Sequence, residues 1–258
     1  MNTIRFCIIT CTYNAENVIR RTLDSVANQT WKGIHHIIID GASTDNTIAV
    51  AEQFRHNSKC GVEYSITSER DKGLYDAMNK GLQKAQPDYV LFLNAGDTLH
   101  SVDTLKDIAE QVQTKDEFPA VIYGDTNIVD ATNRYVGKRE HDPPEVLTWK
   151  SFQNGMMVCH QAFYVRTDIA RKIPFDLKYE LSSDVDWCIK VMKEADKRHL
   201  ELYNMHAVVC DFLAGGMSIK NHRKSLQERF SIMVKHYGLI ITIFKHIQFI
   251  INKKANRE

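Results

Sequence analysis

The sequence predicts an α/β fold with a mostly parallel central sheet flanked by helices, and three observations carry that prediction. Apolar runs at 4–10, 34–39, 62–67 and 89–93 have the length and β-branched content of buried strands. Stretches with helical spacing separate them. Each strand-like run stops at a polar, turn-forming cluster, and strands that alternate with helices in this way pair in parallel with helices over both faces.

The elements follow in order. Ile4 to Thr10 is a short run closed by polar residues, and Val18, Ile19, Thr22, Leu23 and Val26 then recur at helical steps, with Asn14 placed to cap that helix. Ile34 to Ile39 is a second strand, ended by Asp40-Gly41-Ala42-Ser43-Thr44-Asp45. The helix after it holds Ile48, Ala51 and Phe54 and starts near Ser43 or Thr44. Val62 to Thr67 is a third strand, Leu74 to Ala85 a third helix, and Tyr89 to Leu93 a fourth strand. The second half is less regular. A helix is expected at 102–114, a strand at 120–128, then a long irregular stretch containing Pro143 and Pro144, a helix at 182–194, a strand at 207–213, and mostly helix from Asn221 on. A long irregular stretch inside a compact chain is more often functional than idle, so this one is assigned to an acceptor-side wall.

With 258 residues, 43% of them apolar, the chain can bury one large core plus a small appended element. Its 33 Lys and Arg against 32 Asp and Glu give no polycation that would point to nucleic acid. The six cysteines (Cys7, Cys11, Cys60, Cys159, Cys188, Cys210) form no C-x-x-C pair and no dense framework, so zinc is not indicated and a reduced, cytoplasmic setting is expected. The N-terminus does not read as a signal peptide, and no stretch reaches the roughly 20 apolar residues of a membrane span.

Neither G-x-G-x-x-G nor a P-loop sequence occurs. The strand ends carry acids instead: Asp40 after the second, Asp71 after the third and Asp97 after the fourth. Open α/β sheets bind ligands beyond the carboxyl ends of their strands. Three acids at successive ends form a cleft too negative to stand uncompensated, and a divalent cation on a nucleotide diphosphate would offset it. Asp97 is the candidate metal ligand. Asn94 adds a neutral oxygen, and Gly96 permits close backbone approach to a diphosphate. The plain alternative is an ordinary Asn/Gly/Asp turn after a strand.

Thr12-Tyr13-Asn14, Asp40-Gly41-Ala42-Ser43-Thr44-Asp45-Asn46-Thr47, the run Glu69 to Gly81 containing Asp71-Lys72-Gly73-Leu74-Tyr75-Asp76, and Leu93-Asn94-Ala95-Gly96-Asp97 together resemble the ordered motifs of family 2 glycosyltransferases with the GT-A fold. The resemblance covers about residues 4–216. It implies a GT-A domain at 1–220, with a nucleotide-sugar-binding half (1–100) and an acceptor-binding half (101–220), followed by a helical extension at 221–258. It also implies inverting transfer from a nucleotide-sugar, most often a UDP-sugar, to a hydroxyl of a glycan or lipid-linked acceptor in bacterial polysaccharide assembly, with Mg²⁺ or Mn²⁺.

By position, Tyr13 and Asp40 resemble the base-binding residues, Asp71 and Asn79 the donor-pocket residues, and Asp97 the metal-binding acid of the D-x-D motif. The nucleotide site so implied comprises Thr12, Tyr13, Asn14, Asp40, Gly41, Ser43, Asp71, Asn79, Asn94, Ala95 and Gly96. Two positions depart from the pattern. Gly41 stands where many relatives have a second Asp, and Asn94 replaces an acid, leaving one carboxylate for the metal.

Inverting transfer needs a base to take the acceptor hydroxyl proton. Ser182-Ser183-Asp184-Val185-Asp186-Trp187 resembles the motif that supplies it, which assigns the base to Asp184, with Asp186 as second choice on the acceptor side. An acidic helix N-terminus is the bland account of the same residues. His160-Gln161-Ala162 and Leu213-Ala214-Gly215-Gly216-Met217-Ser218 resemble acceptor- or diphosphate-side segments, although His160 reads equally well as a core histidine and the glycine pair as a turn. A sugar-nucleotidyltransferase and a non-catalytic nucleotide-sugar-binding protein are the alternatives. The first would carry a Gly-rich, Arg-containing loop where this chain has Thr12-Tyr13-Asn14; the second would have lost an acid at 97 or 184.

At the C-terminus, Leu239, Ile240, Ile243, Phe244, Ile247, Ile250 and Ile251 share one helical face. Packing on the domain is the commoner fate of such a stripe. The alternative is an interfacial helix, aided by Lys253, Lys254 and Arg257, that brings the protein to the inner face of a membrane.

Overall fold

The computed structural model describes residues 3–57, 61–86, 88–215 and 221–255, with side chains through Ile251; Cys60, Gly216, Met217, Ser218 and Arg257, and the side chains of Lys253 and Lys254, lie outside the described set. Four parallel strands form its first half: β1 (Phe6–Thr12), β2 (Ile34–Asp40), β3 (Val62–Ser68) and β4 (Tyr89–Phe92), in spatial order β3-β2-β1-β4. Every residue of β1, β2 and β4 is buried, which is why these strands read as unbroken apolar runs. Between them lie α1 (Ile19–Ala27), α2 (Thr47–Asn57) and α3 (Leu74–Lys84). Gly81 of α3 sits where an added Cβ would meet Ile9 at 2.5 Å, so this helix packs directly on β1.

Beyond β4 the sheet becomes mixed. It contains β5 (Thr98–Leu99), β6 (Val121–Val129), β7 (Tyr135–Lys138), β8 (Phe163–Arg166) and β9 (Leu202–Leu213), in the order β4-β8-β6-β9-β5 with β7 on β6. β8 is antiparallel to both neighbours, while β6 and β9 pair in parallel over eight registered positions, so most of the register in the whole sheet is parallel. The helices here are α4 (Thr104–Gln113), α5 (Thr167–Ala170) and α6 (Ser183–Lys197), followed by α7 (His222–Tyr237) and α8 (Leu239–Ala255). Two 3-10 turns, 149–154 and 160–162, interrupt the stretch expected to be irregular.

Two local expectations change. Asn14 does not cap α1, whose N-cap is Val18 without a side-chain bond; Asn14 sits in the left-handed region at φ 47 and serves the loop described below. The stretch 129–182 is also not loop throughout, because β7, β8 and α5 lie within it.

An aromatic stack anchors α6. Trp187 stacks on Phe175 at 4.9 Å, meets Phe92 edge-on at 5.5 Å, and donates its indole N–H to the Ile173 carbonyl at 2.8 Å. This fixes the first turn of α6, and hence Asp184, against the end of β4.

Candidate active site

Thr12, Asp40 and Ser68 are register partners across β1, β2 and β3, so the loops that follow these strands emerge side by side. They are laced together by two side-chain to backbone bonds and one backbone bond. The Asn14 N–H donates to Ser43 Oγ (2.8 Å), the Thr44 N–H donates to Asn14 Oδ1 (2.9 Å), and the Gly41 N–H donates to the Thr12 carbonyl (2.9 Å). Ala42 adopts φ 62, a left-handed conformation that costs a non-glycine residue about 1–2 kcal/mol. Strain of this kind persists where neighbours fix the backbone, as this lacing does.

Asp40 is fully buried. Ser43 donates to it through its N–H (2.9 Å) and its hydroxyl (2.5 Å), and the Ser68 hydroxyl adds a third bond at 2.6 Å. Its carboxylate folds the loop in this state rather than standing open to a base. Tyr13 is 65% exposed and presents a free ring at the cleft edge. A Cβ on Gly41 would stand 2.7 Å from an Asp71 carboxylate oxygen and 3.4 Å from the Tyr13 ring. Gly41 therefore accommodates the neighbouring carboxylate, which explains why a second acid is absent there. Asp71 accepts the Gly73 N–H at 2.8 Å, fixing the turn into α3.

Asn79 is engaged away from this shelf. Its amide nitrogen donates to the Phe175 carbonyl (3.0 Å) and its oxygen accepts the Phe175 N–H (2.8 Å). Both ends of the amide thereby help to hold Phe175 under Trp187.

At the exit of β4, Ala95 packs against the small cluster of Ile19, Leu23 and Ile38, and Gly96 takes φ 103 with Leu213 pressed against it. A Cβ at 96 would meet Leu213 Cδ2 at 2.8 Å, and the φ of 103 is strained for any residue but glycine. Asp97 is 4% exposed. Its Oδ2 accepts from Gln161 Nε2 (2.8 Å) and its Oδ1 from the Leu213 N–H (2.9 Å).

Asp97 carries one hydrogen bond on each oxygen, which leaves a lone pair on each. Among the described residues no three His, Cys, Asp or Glu side chains cluster as a metal cage, and a divalent cation held with a nucleotide diphosphate needs only one or two protein carboxylates, for which Asp97 is the residue placed here. Asp97 also ties the β4 exit to the 160–162 turn and to the end of β9.

Adjacent residues of that turn address the two acids. While Gln161 reaches Asp97, His160 Nδ1 lies 3.0 Å from Asp184 Oδ2 and His160 Nε2 lies 3.2 Å from Asn94 Nδ2. The Asn94 amide donates to Nε2, which puts the imidazole proton on Nδ1, facing Asp184. The Tyr75 hydroxyl donates to Asp184 Oδ1 at 3.0 Å. A continuous chain, Tyr75–Asp184–His160–Asn94, thus links α3, α6 and the β4 exit. Tyr75 was not singled out by the sequence reading; its position within the Gly73-Leu74-Tyr75-Asp76 run was the available signal.

The two acids ionise differently. Burial works against ionisation of Asp184, but the hydrogen bond from His160, the Arg229 charge and the Tyr75 hydroxyl outweigh it and hold the carboxyl below the usual range. Burial dominates at Asp97 and lifts it to about 6 despite Leu213 and Gln161. Because the folded value for Asp97 lies above its ordinary 3.8, its contribution to stability is complete below pH 4 and is lost as pH rises through 6. Asp97→Asn is expected to flatten the stability profile between pH 4 and 8 by up to about 3 kcal/mol, read from urea midpoints across that range. An unchanged profile would show that Asp97 does not titrate there.

Asp186 lies elsewhere. Two residues along a helix turn the side chain through roughly 200°, so it leaves the face that carries Asp184. It is fully buried between Lys190 Nζ (2.6 Å), His236 Nε2 (2.7 Å) and Lys235 Nζ (2.9 Å). Burial opposes its ionisation, yet the His236, Lys190 and Lys235 bonds hold it far below the usual range. Neither the acceptor-side placement nor the second-choice base role suits a carboxylate so enclosed. Asp186 instead locks α6 to α7.

The sequence profile of Glycosyl transferase family 2 matches residues 7–173, which contain the loops after β1, β2 and β3, the β4 exit and the His160-Gln161 turn. The chain belongs to this family. Among its relatives, a PGL/p-HBAD biosynthesis glycosyltransferase of Mycobacterium bovis is 33% identical over 215 residues, covering 83% of this chain and 78% of the relative. The amylovoran biosynthesis glycosyltransferase AmsB of Erwinia amylovora is 26% identical over 203 residues, covering 75% and 65%. S. aureus TarS (1-349) in complex with UDP superposes with a TM-score of 0.68 at 19% identity, covering 91% of this chain and 67% of TarS (1-349). The mannosyltransferase PcManGT from Pyrobaculum calidifontis, in complex with GDP-Man and Mn²⁺, gives 0.64 at 14%, covering 95% and 71%. This family 2 glycosyltransferase therefore has the GT-A fold, with Asp184 and its partners at the carboxyl edge of the sheet.

Proposed function

We propose that this glycosyltransferase moves a sugar from a nucleotide-sugar, in the first instance a UDP-sugar, to an acceptor hydroxyl with inversion, in the assembly of a bacterial surface glycan. The observation that carries the proposal is Asp184, hydrogen-bonded by His160 and Tyr75 beside the β4 exit, where those bonds favour its ionised form. A base that takes the hydroxyl proton as oxygen attacks the anomeric carbon needs to be ionised, fixed and near the donor. Tyr75 and His160 supply the fixing, each through one carboxylate oxygen, and leave the remaining lone pairs for the acceptor. Tyr13, 65% exposed beside Gly41 and Asp71, offers a ring on which a nucleobase stacks.

The relatives named for PGL/p-HBAD and amylovoran biosynthesis support a glycan product, and the UDP complex of TarS supports the donor class. A panel of UDP- and GDP-sugars, scored by release of the nucleoside diphosphate with simple glycosides as acceptors, tests the reading. Release with at least one UDP-sugar is expected. Release with GDP-sugars alone would overturn the donor assignment, and formation of a new nucleotide-sugar from a sugar phosphate would overturn the reaction class. The same assay run with Mg²⁺, Mn²⁺ or chelator, on the parent and on Asp97→Asn, tests Asp97 as the cation's protein ligand: the parent is expected to lose release with chelator, and an equal cation response in both proteins would overturn that role.

A further inference from the structure

The outer face of α8 is apolar and its inner face is polar. Thr242, fully buried, and the half-buried Lys245, His246 and Phe249 follow one another at helical spacing and turn toward the protein. Lys245 donates to Asn154 Oδ1 (2.7 Å), and His246 packs edge-on against Phe230 of α7 at 5.0 Å. Ile240, Ile243, Phe244, Ile247, Ile250 and Ile251 are left outside, 45% to 86% exposed. Isolated exposed apolar residues are ordinary, but a contiguous stripe of this size on one helix marks an interaction surface.

We propose that this face docks on an anionic lipid surface, with α8 lying in the plane of the bilayer interface. Charge selects the occupant. Within α8 the sequence has no Asp or Glu but holds Lys245, Lys253 and Lys254, and Arg257 and Glu258 follow it. An apolar face on a helix with only cationic charge matches acyl chains beneath anionic headgroups. A second copy of the chain matches poorly, because pairing two such helices would bring cations together with no carboxylate in either helix to neutralise them. Among the described residues no helix is long and apolar enough to cross a membrane, so the helix lies on the surface.

Docking would also orient the site. Gly238, at φ 84, is the only residue between α7 and α8, and α7 grips the start of α6: Glu228 accepts the Glu180 and Leu181 N–H groups at 3.0 and 2.9 Å. The face of α8 is thereby coupled to the turn that carries Asp184. This orientation rests on the function proposed above; the docking does not.

Co-sedimentation of the full chain with vesicles of phosphatidylcholine alone, or with about 30% phosphatidylglycerol, tests the proposal. Binding to the anionic vesicles is expected, and is expected to weaken as salt screens the headgroups. The variant carrying Ile243→Glu, Phe244→Glu and Ile247→Glu is expected to lose at least about tenfold in partitioning. Its unchanged far-UV dichroism and thermal midpoint would show that folding is intact. Failure of the parent chain to sediment with either vesicle overturns the proposal, as does equal binding to both. A lipid-free dimer that the triple variant makes monomeric assigns the face to a second copy and also overturns it.

Discussion

Asp184→Asn is expected to lower transfer by about a thousandfold while leaving nucleotide affinity within a few-fold of the parent, the range expected when a general base is lost. The exchange removes the proton acceptor and little else. The substituted amide keeps an oxygen for the Tyr75 hydroxyl, and its nitrogen would donate to His160 once the imidazole proton moves to the other ring nitrogen. Asn94 can turn over to receive that proton, because its Oδ1 is buried with no partner among the described residues. The network therefore re-pairs, stability changes little, and a thousandfold loss, about 4 kcal/mol of barrier, reports chemistry. Tyr75→Phe and His160→Gln should cost less, because each leaves the carboxylate in place with one bond fewer. Substantial turnover by Asp184→Asn would move the base elsewhere. Calorimetric titration with UDP beside the rate assay separates binding from catalysis.

The parallel half of the sheet was legible because its strands are buried on both faces and its turns are short. β1, β2 and β4 carry no polar alternation, and the sequence announces each stop. β5, β7 and β8 span two to four residues, too few for any period to register, and β8 follows directly on the His160-Gln161-Ala162 turn. Motif order brought Asp40, Asp71 and Asp97 to one edge, as expected, but side-chain direction was not in the sequence. Asp97 looked like an open carboxylate because its two partners, Gln161 and the Leu213 N–H, lie 64 and 116 residues away. Asn79 met Phe175 by the same kind of long-range contact. At α8 the apolar stripe shares one helical face but does not pack on the domain, the commoner fate of such a stripe; it is exposed, because Thr242 and His246 find partners on α7 and within their own helix.

Asp186→Ala should produce the opposite signature to Asp184→Asn: a loss of about 3 kcal/mol in stability, at the low end of the range for breaking a buried ion pair, with turnover preserved below the new melting point. Asp186 is enclosed by Lys190 from its own helix and by Lys235 and His236 from α7, and removing it leaves two ammonium groups without their shared carboxylate and the His236 Nε2 without its partner. The low end applies because Lys190 and Lys235 keep partial access to water and Lys235 retains Asp176 at 3.2 Å. His236, 6% exposed, keeps Lys193 on Nδ1 but is left with a buried, unpaired Nε2–H, so Asp186→Ala combined with His236→Leu should recover part of the loss. Loosening α7 would also loosen the Glu228 grip on residues 180 and 181, which predicts a modest fall in kcat near the new melting point and none well below it. Urea midpoints and rates taken at two temperatures decide the matter. If Asp186→Asn kept full stability but lost transfer at both temperatures, the proton acceptor would be Asp186 and not Asp184. If it lost stability alone, the two acids of the Ser182-to-Trp187 segment would be separated into one that holds α6 in place and one that faces the acceptor.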